Sequence, residues 1–160
     1  MSKRIVAFFS ASGSTARLAN TLAVAANAAL YEIKPAVPYE RRDLNWMDKK
    51  SRSTVEMQDP NSRPALADTA APVADADVVF LGFPIWWYRE PSIIDSFLDA
   101  YDFSGKAIVP FFTSGGSQLG DGQGRIETLA KGAKVLNGRR FSARASESEL
   151  KDWIEGLRLE

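Results

Sequence analysis

The stretch Ile5-Val6-Ala7-Phe8-Phe9-Ser10-Ala11-Ser12-Gly13-Ser14-Thr15 decides the fold of this chain. Its first five residues are apolar without polar alternation, which predicts a strand buried on both faces. A glycine among hydroxyl-bearing residues follows, and Leu18, Ala19 and Leu22 then recur at helical spacing. A buried strand that passes through a short polar loop into a helix is typical of an α/β unit with a parallel sheet.

Buried runs and helical patterns continue to alternate along the chain. Residues 78–83 and 107–112 predict two further buried strands, although Pro110 conflicts with a central strand and indicates an end or a bulge there. Weaker strands are predicted at residues 31–33 and, split in two, at residues 134–136 and 140–143. Helices are predicted at residues 14–27, within residues 44–57, after Pro91, near Ile126 and after the Ser146–Glu149 capping box.

This order of elements predicts a three-layer α/β/α sandwich around a five-stranded parallel sheet of order 2-1-3-4-5. We expect residues 1–160 to form a single domain, since this is a usual length for one hydrophobic core. In such sheets, ligands bind beyond the carboxyl ends of the strands where the strand order reverses. The loops after the first and third strands are therefore the candidate site.

The first candidate loop suits a phosphate group. Ser10, Ser12, Ser14 and Thr15 offer hydroxyl groups, and Gly13 lets the backbone close around a ligand. The helix start adds free N–H groups and about half a positive charge. An ordinary helix cap would explain one serine but not four hydroxyl groups in six residues. The loop lacks the lysine of a Walker motif and the three glycines of a dinucleotide fingerprint.

The second candidate loop is Pro84-Ile85-Trp86-Trp87-Tyr88, which follows the buried run at residues 78–83. Three adjacent rings cannot all enter the core. Either one ring packs inward and two lie on the surface, or the loop is a platform on which a flat conjugated ring stacks. Stacking adds about 0.5–1.5 kcal/mol beyond the burial of area. We favour the platform because the loop lies where the strand order reverses.

A third loop, Thr113-Ser114-Gly115-Gly116-Ser117, follows the fourth strand, and Gly120-Asp121-Gly122 prolong it. It is either a plain turn or a source of N–H and hydroxyl groups for the polar edge of a planar ring. Asn61 and Arg63 either close the ribityl side of such a ligand or are solvated. A phosphate at one end and a planar aromatic system at the other describe flavin mononucleotide, FMN, which we predict as the cofactor.

Composition narrows the classes of partner. Twenty basic and twenty acidic residues cancel, which argues against nucleic acid, and no run of residues approaches a membrane span. The chain has no cysteine and no histidine, which excludes disulfides, thiol nucleophiles and iron–sulfur clusters, and we expect no metal site. Met1-Ser2-Lys3-Arg4 leads straight into a strand, so we expect a soluble cytoplasmic protein.

Four segments together resemble the flavodoxin family. They are residues 10–18, Leu81-Gly82-Phe83-Pro84-Ile85-Trp86-Trp87, residues 97–106 and Pro110-Phe111-Phe112-Thr113-Ser114-Gly115-Gly116-Ser117. The resemblance is greatest to the short, single-domain bacterial branch with a Pro-Ile-Trp-Trp loop. It implies the flavodoxin-like fold, non-covalently bound FMN and electron transfer. It also implies that residues 10 and 12–15 hold the phosphate, while residues 84–88 and 113–116 bracket the ring.

Two features depart from this resemblance. Tyr88 stands where members of the branch commonly carry glycine, which tolerates positive φ and lets the peptide beside the flavin reorient cheaply. Electron-carrier flavodoxins are usually strongly acidic, whereas this chain is neutral and has Arg89 beside the ring loop. We expect the Arg89 charge to make the flavin's reduction potential less negative.

Two functions fit this sequence. One is an electron shuttle that meets a redox partner protein, which size and motifs favour. The other is an FMN-dependent NAD(P)H:quinone or nitro reductase that passes electrons to a small acceptor, which neutral charge, Arg89 and the aromatic loop favour. We identify no catalytic acid or base, and flavin chemistry requires none because the cofactor carries it.

Overall fold

The computed structural model describes residues 3–159, so Met1, Ser2 and Glu160 lie outside the described residues. The elements in chain order are β1 (Arg4–Phe8), α1 (Ser14–Ala26), β2 (Ala29–Glu32), a 3₁₀ helix (Arg41–Leu44), α2 (Arg52–Gln58), β3 (Val78–Pro84), α3 (Ser92–Ala100), β4 (Ala107–Thr113), α4 (Gly122–Leu129), β5 (Lys134–Val135), β6 (Arg139–Arg140) and α5 (Glu147–Leu157). The predicted alternation of strands and helices is confirmed, with boundaries displaced by a few residues.

The strands form one parallel sheet in the predicted order, β2-β1-β3-β4-β5. β6 also pairs with β4, at Phe111 and Phe112, so β5 and β6 occupy the same edge position one after the other. The split fifth strand expected from the sequence is thus present. The sheet therefore places the ends of β1, β3 and β4 side by side.

Pro110 explains why the edge strand is divided. β4 runs through Pro110 without ending. On the outer side of β4, the carbonyl oxygens of Ile108 and Phe112 accept hydrogen bonds from the edge position. The backbone nitrogen of residue 110 points to this same side of β4, midway between the two carbonyl groups. Because proline has no N–H, it cannot donate a hydrogen bond to the edge strand there. The expectation that β4 ends or bulges at Pro110 is wrong, because the interruption falls in the strand beside it.

Helices cover both faces of the sheet, which confirms the three-layer architecture. On one face, Leu18 of α1 and Trp153 of α5 pack with Val6 of β1. On the other face, Phe97 of α3 and Ile126 of α4 share a cluster with residues of the same strands. Neighbouring strand residues reach opposite clusters, so β1 and β3 are buried on both sides. Within residues 3–159, no helix has the length and apolar character to cross a membrane.

A buried ionic cluster anchors the chain directly after the aromatic loop. Glu90 and Asp95 are 0% exposed, and Arg89 is 8% exposed. Arg125 of α4 donates from Nε to Glu90 Oε2 at 3.0 Å and from Nη2 to Asp95 Oδ2 at 2.5 Å. Arg89 Nη1 lies 3.4 Å from Asp95 Oδ2. The cluster ties the segment after β3 to α3 and α4.

This cluster predicts a pH dependence of stability. Burial, together with the adjacent Asp95 carboxyl, raises the pKa of Glu90 to about 8, whereas glutamate in an unfolded chain has a pKa of about 4.3. Folding favours the protonated form of Glu90. Its contribution to the free energy of unfolding is therefore complete below the unfolded pKa and is lost as the pH rises towards the folded pKa. We expect Glu90→Gln to flatten the fall in unfolding free energy between about pH 5 and pH 8, measured by urea titration. Glu155→Gln, on the exposed part of α5, is the control; an unchanged slope in Glu90→Gln would contradict the prediction.

Candidate functional site

The three loops singled out in the sequence meet at one edge of the sheet. They follow β1, β3 and β4, which are adjacent and parallel. Thr15 Oγ1 and Thr113 Oγ1 form a buried hydrogen bond of 2.8 Å, which joins the first loop to the third. The N–H of Ile85 donates to Thr113 O at 3.0 Å, which joins the second loop to the third. Thr113 therefore links all three loops.

The first loop is shaped by Ser10 and Gly13. Ser10 Oγ accepts hydrogen bonds of 3.1 Å from the N–H groups of Gly13 and Ala16, so it caps the start of α1. Gly13 has φ of 97°, in the region that favours glycine. Helix geometry leaves the N–H groups of Ser14 and Thr15 without a partner in the helix. Because Ser10 supplies the ordinary cap, the exposed hydroxyl groups of Ser12 and Ser14 stay available.

The second loop is a tight turn with two aromatic residues at its tip. Trp86 and Arg89 exchange backbone hydrogen bonds of 3.0 and 3.1 Å. Between them, Trp87 and Tyr88 have φ of 48° and 64°. Two successive positive φ angles are typical of a type I′ turn, which usually carries Asn-Gly. Tyr88 thus occupies the conformation that glycine would adopt cheaply, at a strain of about 1–3 kcal/mol.

Gly120 lets the third loop approach this turn. It has φ of 57°, and a Cβ there would lie 2.9 Å from the carbonyl oxygen of Tyr88. Any residue with a side chain would push the two loops apart. The absence of a side chain at Gly120 thus lets the backbone of the third loop lie against the backbone of the turn.

The rings of the second loop point in different directions. Trp86 packs inward, with its ring centroid 5.6 Å from that of Phe9 and 5.4 Å from that of Tyr39, both edge to face. Trp87 is 39% exposed and Tyr88 is 70% exposed. One ring inward and two outward is the first of the two arrangements that the sequence allowed. The outward rings nevertheless line a cleft, so the arrangement is compatible with stacking.

The third loop is held in shape by its own serine and by a distant arginine. Ser114 Oγ donates to Ser117 O at 2.7 Å and accepts from the N–H of Gly116 at 3.2 Å. Arg140 of β6 donates to Ser114 O from Nε at 3.1 Å and from Nη2 at 2.9 Å. No sequence pattern indicated Arg140, because only the pairing of β6 with β4 brings it to the loop. Asp121 precedes α4 at the far end of the loop.

The second and third loops line a cleft of about 610 Å³, within the range of about 300–1,000 Å³ found for ligand pockets. Residues 85–88 form one side, Gly115 and Ser117 form another, and Leu44, Trp46 and Ser53 come from the segment that contains the 3₁₀ helix and α2. Every one of these lining residues is uncharged. The first loop adjoins the cleft through the Thr15–Thr113 hydrogen bond rather than lining it.

The contribution of residues 44–53 was missed by sequence reasoning. Trp46 is 70% exposed, whereas Ser53 is 2% exposed and its Oγ has no hydrogen-bond partner among the described residues. The available signal was the length of the connection, since long irregular connections are often functional. The absence of a clear apolar period in that segment hid which residues face the cleft.

Arg89 does not charge the ring loop, and the expectation that it does is wrong. Its guanidinium turns into the buried cluster, where it donates to Met57 O at 3.3 Å and to Glu90 O at 3.1 Å. Burial, with Arg125 nearby, lowers the pKa of Arg89. Arg89 is next to the ring loop in sequence, but the tight turn reverses the chain between Trp86 and Arg89. Closeness in sequence therefore did not predict the direction of its side chain.

Asn61 and Arg63 lie away from the cleft, and both are exposed to solvent, as the second of the two sequence interpretations expected. Arg63 donates from Nε to Asp99 Oδ2 at 2.6 Å and lies 3.7 Å from Asp95. Both residues line a separate depression beside α4. Arg63 is therefore part of the ionic network, not of a ribityl contact.

Comparisons with known proteins agree with this geometry. The sequence matches the family model for flavodoxin over residues 3–157. A candidate flavoprotein of Bacteroides eggerthii DSM 20697 is 41% identical over 100% of both chains, with a TM-score of 0.94. Another, from Bacteroides uniformis ATCC 8492, is 44% identical over 96% of this chain and 98% of that chain, with a TM-score of 0.90.

A more distant structure shares the fold. A flavoprotein of Lactobacillus acidophilus NCFM, solved in complex with FMN, is 21% identical over 96% of this chain and 99% of that chain, with a TM-score of 0.73. No curated protein matches the chain. The family match covers nearly the whole sequence, and this chain therefore belongs to the flavodoxin family.

Proposed function

We propose that this protein binds FMN non-covalently and transfers electrons. The observation that carries the proposal is the junction at Thr113, which joins a hydroxyl-rich helix start to an uncharged aromatic cleft. Membership of the flavodoxin family and the FMN complex of the Lactobacillus acidophilus flavoprotein support it. Bound FMN would supply the electron chemistry itself, so the protein needs only to bind and orient it.

The first loop fits the phosphate of FMN. Ser12 and Ser14 present exposed hydroxyl groups, and the N–H groups of Ser14 and Thr15 open from a helix of 13 residues. A helix start of this kind attracts an anion without a positive side chain. In this proposal Ser10 and Gly13 shape the loop, while the residues that bond the phosphate are Ser12, Ser14 and Thr15.

The cleft fits the ring system of FMN. Trp87 and Tyr88 offer aromatic surface on one side, and the backbone of Gly115 and Ser117 lies on another. Buried Ser53 Oγ supplies a polar atom that has no partner within the described chain. In this proposal the positions that contact the ring are Ile85, Trp86, Trp87, Tyr88 and Gly115, and those that shape the loops are Pro84, Thr113, Ser114, Gly116, Gly120 and Asp121. We propose further that the protein belongs to the short bacterial branch of the family, and its Pro-Ile-Trp-Trp loop supports this.

A reductase role is the second candidate, and the uncharged cleft favours it. Acidic groups around a flavin repel added electrons and steer docking partners, and none lines this cleft. Trp46 and Tyr88, each 70% exposed, offer aromatic surface to a small quinone or nitroaromatic acceptor. Bleaching of the bound flavin by NAD(P)H alone distinguishes a reductase from a shuttle, because a shuttle requires a separate reductase.

The phosphate loop predicts binding of about one FMN per chain, with lower affinity for riboflavin. Ser12→Ala removes an exposed hydroxyl from the loop, so we expect it to weaken FMN binding by about 1–2 kcal/mol and to leave riboflavin binding unchanged. Quenching of flavin fluorescence measures both affinities. Ser148→Ala, at an exposed position of α5, is the matched control. Equal affinities of the unaltered protein for FMN and riboflavin would refute the phosphate assignment.

The directions of the two tryptophans predict different effects of their removal. Trp87→Ala removes an exposed ring from the cleft, and we expect FMN and riboflavin binding to weaken by about 1–3 kcal/mol. Trp86→Ala removes a ring packed against Phe9 and Tyr39, and we expect a lower melting temperature of the apoprotein. Calorimetry and fluorescence titration separate the two effects. The stacking assignment is wrong if Trp87→Ala leaves both flavin affinities unchanged.

A further inference from the structure

We propose that Ser53 is a ring-recognition residue, whose hydroxyl group hydrogen-bonds the polar edge of the flavin ring in the cleft. The inference rests on the proposed function, because the ring is that of FMN. Ser53 belongs to α2, which lies outside the three loops singled out in the sequence, so α2 would contribute to ligand specificity. The ligand must then carry a carbonyl, ring nitrogen or N–H at its edge.

The bonding state of Ser53 is the first observation behind this inference. Its side chain is 2% exposed and lines the cleft, and its Oγ has no partner among the described residues. A buried hydroxyl group without a hydrogen bond costs free energy. The neighbouring hydroxyl groups are satisfied, since Ser51 Oγ donates to Thr54 Oγ1 at 2.9 Å. Ser51, which caps the same helix, has a hydrogen-bond partner for its hydroxyl group, whereas Ser53 has none among the described residues.

The position of Ser53 is fixed from both ends of α2. Near the start, Arg52 donates to Val37 O at 2.6 Å, and its guanidinium lies 3.9 Å from the centroid of the Tyr39 ring. Near the end, Met57 O accepts from Arg89 Nη2 at 3.3 Å, which joins α2 to the buried ionic cluster. A side chain held on a rigid element is already oriented when the ligand arrives, so less ordering accompanies binding.

The rest of the cleft indicates which part of a ligand Ser53 meets. The other side chains that line it are largely aromatic or aliphatic, and they suit the faces and the dimethylbenzene edge of a flavin. A hydroxyl group both donates and accepts hydrogen bonds, so it can satisfy the carbonyl or nitrogen atoms of the opposite, pyrimidine edge. A purely apolar ligand would leave Ser53 buried and unbonded. The cleft therefore selects a heteroaromatic ring over a hydrocarbon one.

The experiment compares Ser53→Ala with the unaltered full-length protein. Removing an unpartnered buried oxygen should leave the melting temperature of the apoprotein equal or higher. The same change should raise the dissociation constants of FMN and of riboflavin alike, by about tenfold, because both carry the same ring. Ser12→Ala should affect FMN alone. Ser53→Cys keeps a side chain of similar size with only weak hydrogen bonding, and it should weaken flavin binding in the same way.

The outcomes separate this inference from the proposed function. If the unaltered protein binds neither FMN nor riboflavin, both are overturned. If it binds both and the two Ser53 variants bind them equally well, the role of Ser53 is refuted while FMN binding stands. A loss of affinity that accompanies a lower apoprotein melting temperature in both variants would assign Ser53 a structural role and would also overturn the inference.

Discussion

The two backbone hydrogen bonds between Trp86 and Arg89 hold the residues between them in a conformation that neither would adopt freely. Trp87 and Tyr88 both have positive φ, and such strain persists only where the surroundings fix it. Three contacts do so. Trp86 packs edge to face on Phe9 and Tyr39, Arg89 donates hydrogen bonds within the ionic cluster, and Gly120, which has no side chain, lets the third loop lie close to the carbonyl oxygen of Tyr88. The outward rings are thereby fixed at the mouth of the cleft before any ligand binds.

Charge and polarity are divided between different places in the molecule. The helix start carries hydroxyl and N–H groups, the cleft is uncharged, and Arg89, the arginine nearest the ring loop in sequence, turns into the buried cluster around Glu90 and Asp95. A phosphate would be held by dipoles and hydrogen bonds rather than by a cation. The surroundings of a bound flavin would contain neither the acidic groups of a strongly charged carrier nor the positive charge that Arg89 was expected to provide. We still expect the reduction potential of a bound flavin to be less negative than in an acidic carrier. The reason is the absence of carboxylates from the cleft lining, and not the charge of Arg89.

The sequence was sufficient for the sheet order and for the three loops, because buried parallel strands are continuous apolar runs and their carboxyl ends share one edge. It was insufficient where side-chain direction depends on long-range contacts. Arg89 is adjacent to the ring loop in sequence, but its direction is set by a tight turn and by partners in α2 and α3. Arg140 reaches the third loop only through strand pairing. Ser53 and Trp46 lie in a segment without a clear period, so no pattern indicated which of its residues face the cleft.

The central claim is that one FMN binds where the loops after β1, β3 and β4 meet. Amide chemical shifts of the isotope-labelled protein, followed by NMR during titration with FMN, test it most directly. The claim predicts that the largest shift changes fall on Ser14 and Thr15, on Trp87 and Tyr88, and on Gly115 and Ser117, with smaller changes at Ser53. Changes confined to other places, such as the depression that contains Asn61 and Arg63, or no change at a saturating FMN concentration, would contradict it.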